Sequence, residues 1–239
     1  MVPDWLTHRA AVLPRTVALI SDDCSLDYGE LNRRVLGLAG ALQAAGVVPG
    51  DRVAVLATNS VELVAAIHAV PRVGAVLVLL NCRLTPVELA WQLADADVRL
   101  LLCHAPTELL ARAAAQAAGM GAPLVLPLPA DEPRDVVDAH PLDAIHSIIY
   151  TSGTTGRPKG AMLTFGNFWA SACGSAFNLG TQVGDRWLAC MPLFHVGGLS
   201  IVLRSAIYGT AIVIQPGFDE RAVAAALHDD AITHVSLVP

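Results

Sequence analysis

Eleven consecutive residues, Tyr150–Gly160, read Tyr-Thr-Ser-Gly-Thr-Thr-Gly-Arg-Pro-Lys-Gly, and Lys159 is the only lysine in the chain; the other fourteen basic residues are arginine. These residue types can hold phosphate. Gly153 and Gly156 let backbone N–H groups approach an anion closely. Thr151, Ser152, Thr154 and Thr155 offer hydroxyl donors, and Lys159 adds a compact positive charge. The Walker spacing G-x-x-x-x-G-K-[ST] is not met: counting from Gly153, Pro158 stands where the second glycine belongs, and Gly160 follows the lysine. Proline also lacks the N–H that such a loop would aim at phosphate. A flexible Ser/Thr/Gly turn is the plain alternative. A run of eleven residues of this pattern favours the phosphate loop.

A second group follows at Pro-Leu-Phe-His-Val-Gly-Gly, residues 192–198. A lone histidine in an apolar stretch is commonly a hydrogen-bonded core residue. Beside Gly197 and Gly198, His195 is better placed to meet a ligand, because glycine lets a substrate approach the backbone. Arg204 comes nine residues later on an otherwise apolar helix. It either snorkels to the surface or grips a carboxylate bidentately. The eight histidines show neither H-x-x-x-H nor H-E-x-x-H, so no metal site is expected. Gly-x-Ser-x-Gly is absent, which argues against a hydrolase of that type.

The elements that must position these groups alternate between strand-like and helix-like. Asp27 and Glu30 form a capping box ahead of Leu31, Val35, Leu38 and Leu42 at helical spacing, and Gly46 stops that helix. Helices are further predicted over 61–72, 86–96 (Thr85 cap, Glu88 partner), 108–118, 164–177, 199–208 and 220–228. Strands are predicted over 52–57, 75–80, 99–103, 123–128, 147–150, 186–190, 210–215 and 233–238. The segment 126–141, with four prolines and several acids, reads as a surface linker. Such alternation means parallel sheets with helical crossovers, and continuous apolar strands mean sheets covered on both faces. The expected class is therefore α/β.

Hydrophobic residues make up 54% of the 239 and charged residues 15%, against a usual charged share of about 25%. A net charge of −6 argues against a nucleic-acid binder, which would show a basic patch, yet leaves room for one anion-binding loop. Five widely spaced cysteines with no C-x-x-C read as reduced thiols, and the first fourteen residues lack a signal-peptide layout, so a cytoplasmic protein is expected. Residues 187–203 contain no Asp, Glu, Lys or Arg, but Pro192, His195, Gly197 and Gly198 interrupt them, so no transmembrane segment is expected.

Tyr150–Gly160 resembles the phosphate-loop signature of the AMP-forming acyl- and aryl-CoA synthetases and their adenylate-forming relatives. Residues 25–35, 46–55, 81–89 and 191–199 resemble further family segments in the same order, and 191–209 is most similar to the 2-succinylbenzoate–CoA ligases of menaquinone biosynthesis. The resemblance implies the N-terminal part of the family's large domain, mostly parallel sheets flanked by helices. It covers 1–239, with a subdivision near 129–145 left open. The rest of that domain and the small C-terminal domain lie outside, so this segment alone is expected to be inactive. The implied reaction is ATP-dependent adenylation of a carboxylic acid, then thioester formation with CoA, with Mg2+ accompanying the nucleotide. Thr151, Ser152, Gly153, Thr154, Thr155 and Gly156 would wrap the β- and γ-phosphates beside Lys159. His195, Gly197 and Gly198 would line the carboxylate pocket, and Arg204 would hold a second carboxylate. Other aryl-, medium- or long-chain acyl-CoA ligases, or a truncated non-catalytic remnant, stand as alternatives, and homo-oligomerisation stays open.

Overall fold

Capping residues start most helices where the sequence places them. In a computed structural model that describes residues 1–151, 158–229 and 231–237, Asp27 with Glu30 and Thr85 with Glu88 both form reciprocal capping boxes, and Ser60 caps the helix that follows it. The order of elements is β1 (Val2–Pro3), α1 (Trp5–Val12), β2 (Val17–Ile20), β3 (Ser25–Asp27), α2 (Tyr28–Ala44), β4 (Arg52–Leu56), α3 (Val61–Arg72), β5 (Val76–Leu79), α4 (Pro86–Asp95), β6 (Leu100–His104), α5 (Glu108–Ala117), β7 (Leu124–Leu126), β8 (Ala139–His140), β9 (Ile145–Thr151), β10 (Lys159–Thr164), α6 (Phe165–Leu179), β11 (Arg186–Ala189), α7 (Val196–Tyr208), β12 (Ala211–Ile214), α8 (Glu220–Asp229) and β13 (His234–Val235).

Among the described residues the strands form two large sheets and a small one. One sheet has the order β10-β9-β5-β4-β6-β7, parallel except for β10. The other has the order β13-β11-β12-β2-β3, parallel except for β3. A short antiparallel pair joins β1 to β8.

Side-chain alternation along the strands builds the layers. In β4, Val53 and Val55 enter the central core with α1, α2, α3 and α7, whereas Ala54 and Leu56 face α4 and α5. In the other sheet, Ile212 and Ile214 join that same central core while Leu188 and Val213 face α8. Helices thus lie outside each sheet and between the two, which explains the near-continuous apolar strands.

Four differences from the sequence reading have physical reasons. The strand β10 is not among the predicted strands; it is an edge strand with no buried residue and no apolar alternation. Short elements before Asp27 went unread because none is long enough to show a period. The helix α7 begins at Val196, three residues before the predicted start, so both glycines lie in its first turn. The segment 126–141 is no simple surface linker: its end forms β8, and His140 is buried.

Candidate functional site

The strand β9 runs parallel to β5 and ends at Thr151, so the Tyr150–Gly160 segment leaves at the carboxyl edge of the sheet, where open α/β sheets bind ligands. Thr151 pairs directly with Lys159 across the β9–β10 hairpin, and both are exposed. Ser152, Gly153, Thr154, Thr155 and Gly156 lie outside the described residues. The base of the hairpin is fixed from behind. Tyr150 donates its hydroxyl to Asp95 at 2.7 Å and to the Gln92 carbonyl at 3.2 Å, and its ring meets Trp91 edge-on. Burial, then the Asp95 carboxylate, pushes the Tyr150 phenol up, keeping it a donor. Gly160 serves packing: a Cβ there would come within 2.9 Å of the Ile148 side chain. Among the described residues no carboxylate pairs with Lys159.

The second group sits at the start of α7. His195 is its N-cap and makes no side-chain capping bond, so the first-turn amides keep their donors and the positive end of the helix dipole is open. The imidazole is exposed and leans on Phe194, with ring centroids 4.6 Å apart. Desolvation, then the Arg83 charge, lowers its pKa below the ordinary value, so the ring is neutral near pH 7. Gly197 has open space where a Cβ would project. Gly198 has a packing reason of its own, since a Cβ would meet the Pro192 carbonyl oxygen at 2.4 Å.

The second group, at the carboxyl edge of the five-stranded sheet, is tied to the carboxyl edge of the six-stranded sheet. Arg83 follows the carboxyl end of β5, which lies between β4 and β9, and its charge reaches His195. The turn before α7 is hydrogen-bonded to Asn59, just past β4. A cavity of about 480 Å³ opens beside this edge, between Thr58–Glu62, His104 and Ile214. Arg83 is exposed, and the sequence signal for it is its position, directly after a parallel strand's carboxyl end.

Arg204 is elsewhere on α7. It stands eight residues beyond the first residue of α7, about 12 Å along the axis. It is half-buried, stacked on the Trp187 ring at 4.6 Å, and donates to the Ser200 carbonyl at 3.0 Å and the Ser175 hydroxyl at 2.9 Å. Among the described residues no carboxylate pairs with it. Residues 187–203 divide into β11, a turn and α7, and no helix among the described residues is long and apolar enough to cross a membrane.

A mostly parallel α/β frame with Thr151 and Lys159 paired at its carboxyl edge is the open-sheet class that binds ligands at that edge, and comparison with known proteins makes the class specific. The chain belongs to the AMP-binding enzyme family, whose pattern matches residues 6–239. It is 40% identical over 237 residues to the 2-succinylbenzoate–CoA ligase of Bacillus cereus strain Q1, covering 99% of this chain and 48% of that protein. Thus it spans about half the length of the curated relatives it matches. Its fold matches o-succinylbenzoate CoA synthetase (MenE) from Bacillus subtilis in complex with the acyl-adenylate OSB-AMP, with a TM-score of 0.90, 35% identity and coverage of 98% of this chain and 61% of that one. The inhibitor-bound N-terminal domain of FACL13 from Mycobacterium tuberculosis aligns with a TM-score of 0.90 at 31% identity, covering 100% and 63%.

Proposed function

We propose that this chain supplies the ATP- and acid-binding half of an AMP-forming acid–CoA ligase acting on 2-succinylbenzoate. The carrying observation is that the Thr151–Lys159 hairpin base stands at the carboxyl edge of the six-stranded sheet, while the uncapped start of α7 with His195 stands at the carboxyl edge of the five-stranded sheet, joined to it through Asn59. Adenylation joins a carboxylate oxygen to the α-phosphorus of ATP and releases pyrophosphate. The protein's share is placement and charge neutralisation. Lys159, Thr151 and the Ser152–Gly156 segment hold the β- and γ-phosphates, with Mg2+ arriving on the nucleotide. The neutral His195 imidazole and the amides of Gly197 and Gly198 orient the carboxylate as it attacks. CoA then displaces AMP to give the thioester. The 40%-identical relatives named for 2-succinylbenzoate support the substrate.

The test uses a polypeptide of the relatives' full length carrying this segment. Pyrophosphate release is expected to be fastest with 2-succinylbenzoate among succinylbenzoate, benzoates and fatty acids; a clear preference for another acid overturns the substrate, and no release with any acid overturns the reaction. In the same assay Lys159→Ala is expected to slow adenylation about 10²-fold, the scale for losing one transition-state donor. Unchanged turnover with ATP near its KM removes Lys159 from the site.

Arg204 is assigned the second carboxylate of the diacid, because it is a half-buried guanidinium with no acidic partner among the described residues. Arg204→Leu is expected to raise KM for the diacid by about tenfold or more, the scale of one charged hydrogen bond, and to leave a monoacid nearly unaffected. Equal effects on both acids reject the assignment.

A further inference from the structure

Asn59 lies three residues beyond the end of β4, immediately before the cap of α3, and is buried. Both the NH2 group and the carbonyl oxygen of its amide bond across to the other sheet. Its Nδ2 donates to the carbonyls of Met191 at 3.0 Å and Gln215 at 3.1 Å, with that of Ala189 at 3.4 Å, and its Oδ1 accepts the N–H of Leu193 at 2.9 Å. Ala189, Met191 and Leu193 span the turn from β11 to α7, and Gln215 follows β12. One side chain therefore bolts the carboxyl edge of the five-stranded sheet to that of the six-stranded sheet.

We propose that Asn59 is the positioning residue for His195 and the open end of α7. The bonds continue outward from its amide: Leu193 N–H to Asn59, His195 N–H to the Pro192 carbonyl at 3.2 Å, and Leu199 N–H to the His195 carbonyl at 2.9 Å. Gly198 closes on the Pro192 carbonyl with no room for even a methyl group, so the turn has little slack to absorb a shift at its anchor. Only a planar group with two donors and one acceptor satisfies all of these partners. Aspartate keeps the acceptor but sets an anionic oxygen against carbonyls. Alanine leaves a buried N–H and two buried carbonyls unpaired. The catalytic consequence rests on the adenylation reading; the placement of the turn does not.

Two measurements test it. On the 239-residue chain, amide hydrogen exchange at Leu193 is expected to quicken at least tenfold in Asn59→Ala and Asn59→Asp, with chemical-shift changes running through His195 to Leu199 while β4 and β5 stay as in the parent. In the full-length ligase, Asn59→Asp is expected to lower kcat for adenylation about 10²-fold per active-site-titrated molecule, the cost of misplacing a reacting group by about an ångström. KM for ATP should stay within about twofold, because the hairpin that holds the phosphates is anchored by Tyr150 instead. A variant that melts earlier but keeps parental kcat per titrated molecule shows a role in folding only and overturns the proposal. So does unchanged exchange at Leu193. If the parent adenylates no acid, the ligase reading fails, and the exchange and shift data alone decide where Asn59 holds the turn.

Discussion

Lowering the pH from 6.5 to 4 is expected to remove on the order of 5 kcal/mol of folding stability, through histidines that the fold holds neutral. His68 and His146 are 5% and 2% exposed, at the packed junction of α3, β9 and the N-terminal segment. Desolvation pushes His68 down to about 4; the nearby Arg72 charge adds to this and the Asp4 carboxylate opposes it. Desolvation pushes His146 down to about 3, with the His68 and His140 charges adding and Asp4 opposing. The sign follows from proton counts. Each group has a lower pKa folded than unfolded, so the unfolded chain takes up protons first as pH falls. The stabilisation is complete above the ordinary value of 6.5 and is lost progressively toward pH 4 and 3. Two such groups give a slope of about 2.7 kcal/mol per pH unit, large against a typical total of about 5–15 kcal/mol. Asp4, held down at about 2, despite its desolvation, by the His140 ring beside it and by bonds from Arg72 and Thr7, acts in the same direction at still lower pH. Urea unfolding at pH 7.5, 6.5, 5.5 and 4.5 reads this directly, and replacing either His68 or His146 by leucine should roughly halve the slope. Equal stability at 6.5 and 4.5 would rule the account out.

None of this cluster was legible in the sequence, and the reason is physical. Local chemistry writes itself into short windows. Asp27 with Glu30 and Thr85 with Glu88 announced helix starts because a capping box spans four residues. Continuous apolar runs announced β4, β5 and β6 because both sheet faces are covered. The strand β9 followed from an apolar run that stops at Gly/Ser/Thr; the pairing of Thr151 with Lys159 did not, because β10 shows no apolar alternation. Long-range bonds leave no such trace. Gly197 and Gly198 read as helix breakers, yet Gly198 is small because the Pro192 carbonyl occupies the space, which only the folded turn reveals. Arg204 reads as a carboxylate partner on an apolar helix, but that its guanidinium stacks on Trp187 and donates to Ser175 depends on contacts with β11 and α6 that no short window shows. His140, His146 and Arg72 each look unremarkable in sequence, and their meaning lies in partners many residues away.

Arg72→Ala is expected to cost about 3–5 kcal/mol, the scale for removing one partner of a buried ion pair. Arginine in the last turn of a helix ordinarily serves the helix dipole from the surface, but Arg72 is 2% exposed and its guanidinium is turned inward. Nη1 meets the Asp4 carboxylate at 3.1 Å and Nη2 meets Asp138 at 3.4 Å, while its own carbonyl accepts the N–H of Val137. Asp4 is itself 7% exposed, and the Asp4 N–H donates to the Asp138 carbonyl at 2.7 Å. Three segments remote in sequence, the N-terminus, the end of α3 and the chain before β8, are therefore pinned through one side chain. Deleting it strands the Asp4 carboxylate, with the His140 ring 3.5 Å away. A melting temperature lower by roughly 6–20 °C follows from that free energy for a chain of this size. Asp4→Asn should be milder, because an amide tolerates the site uncharged. Pairing Arg72→Met with Asp4→Leu should recover much of the loss, since removing both charges spares the remaining one its desolvation. A melting temperature for Arg72→Ala within about 2 °C of the parent contradicts the assignment of Arg72 as the pin. The same junction carries His146, stacked against Trp5 and edge-on to Phe165, at the foot of β9. Loosening it releases the strand whose far end presents Thr151, so the stability of the buried cluster and the placement of the Thr151–Lys159 pair are set by one continuous element.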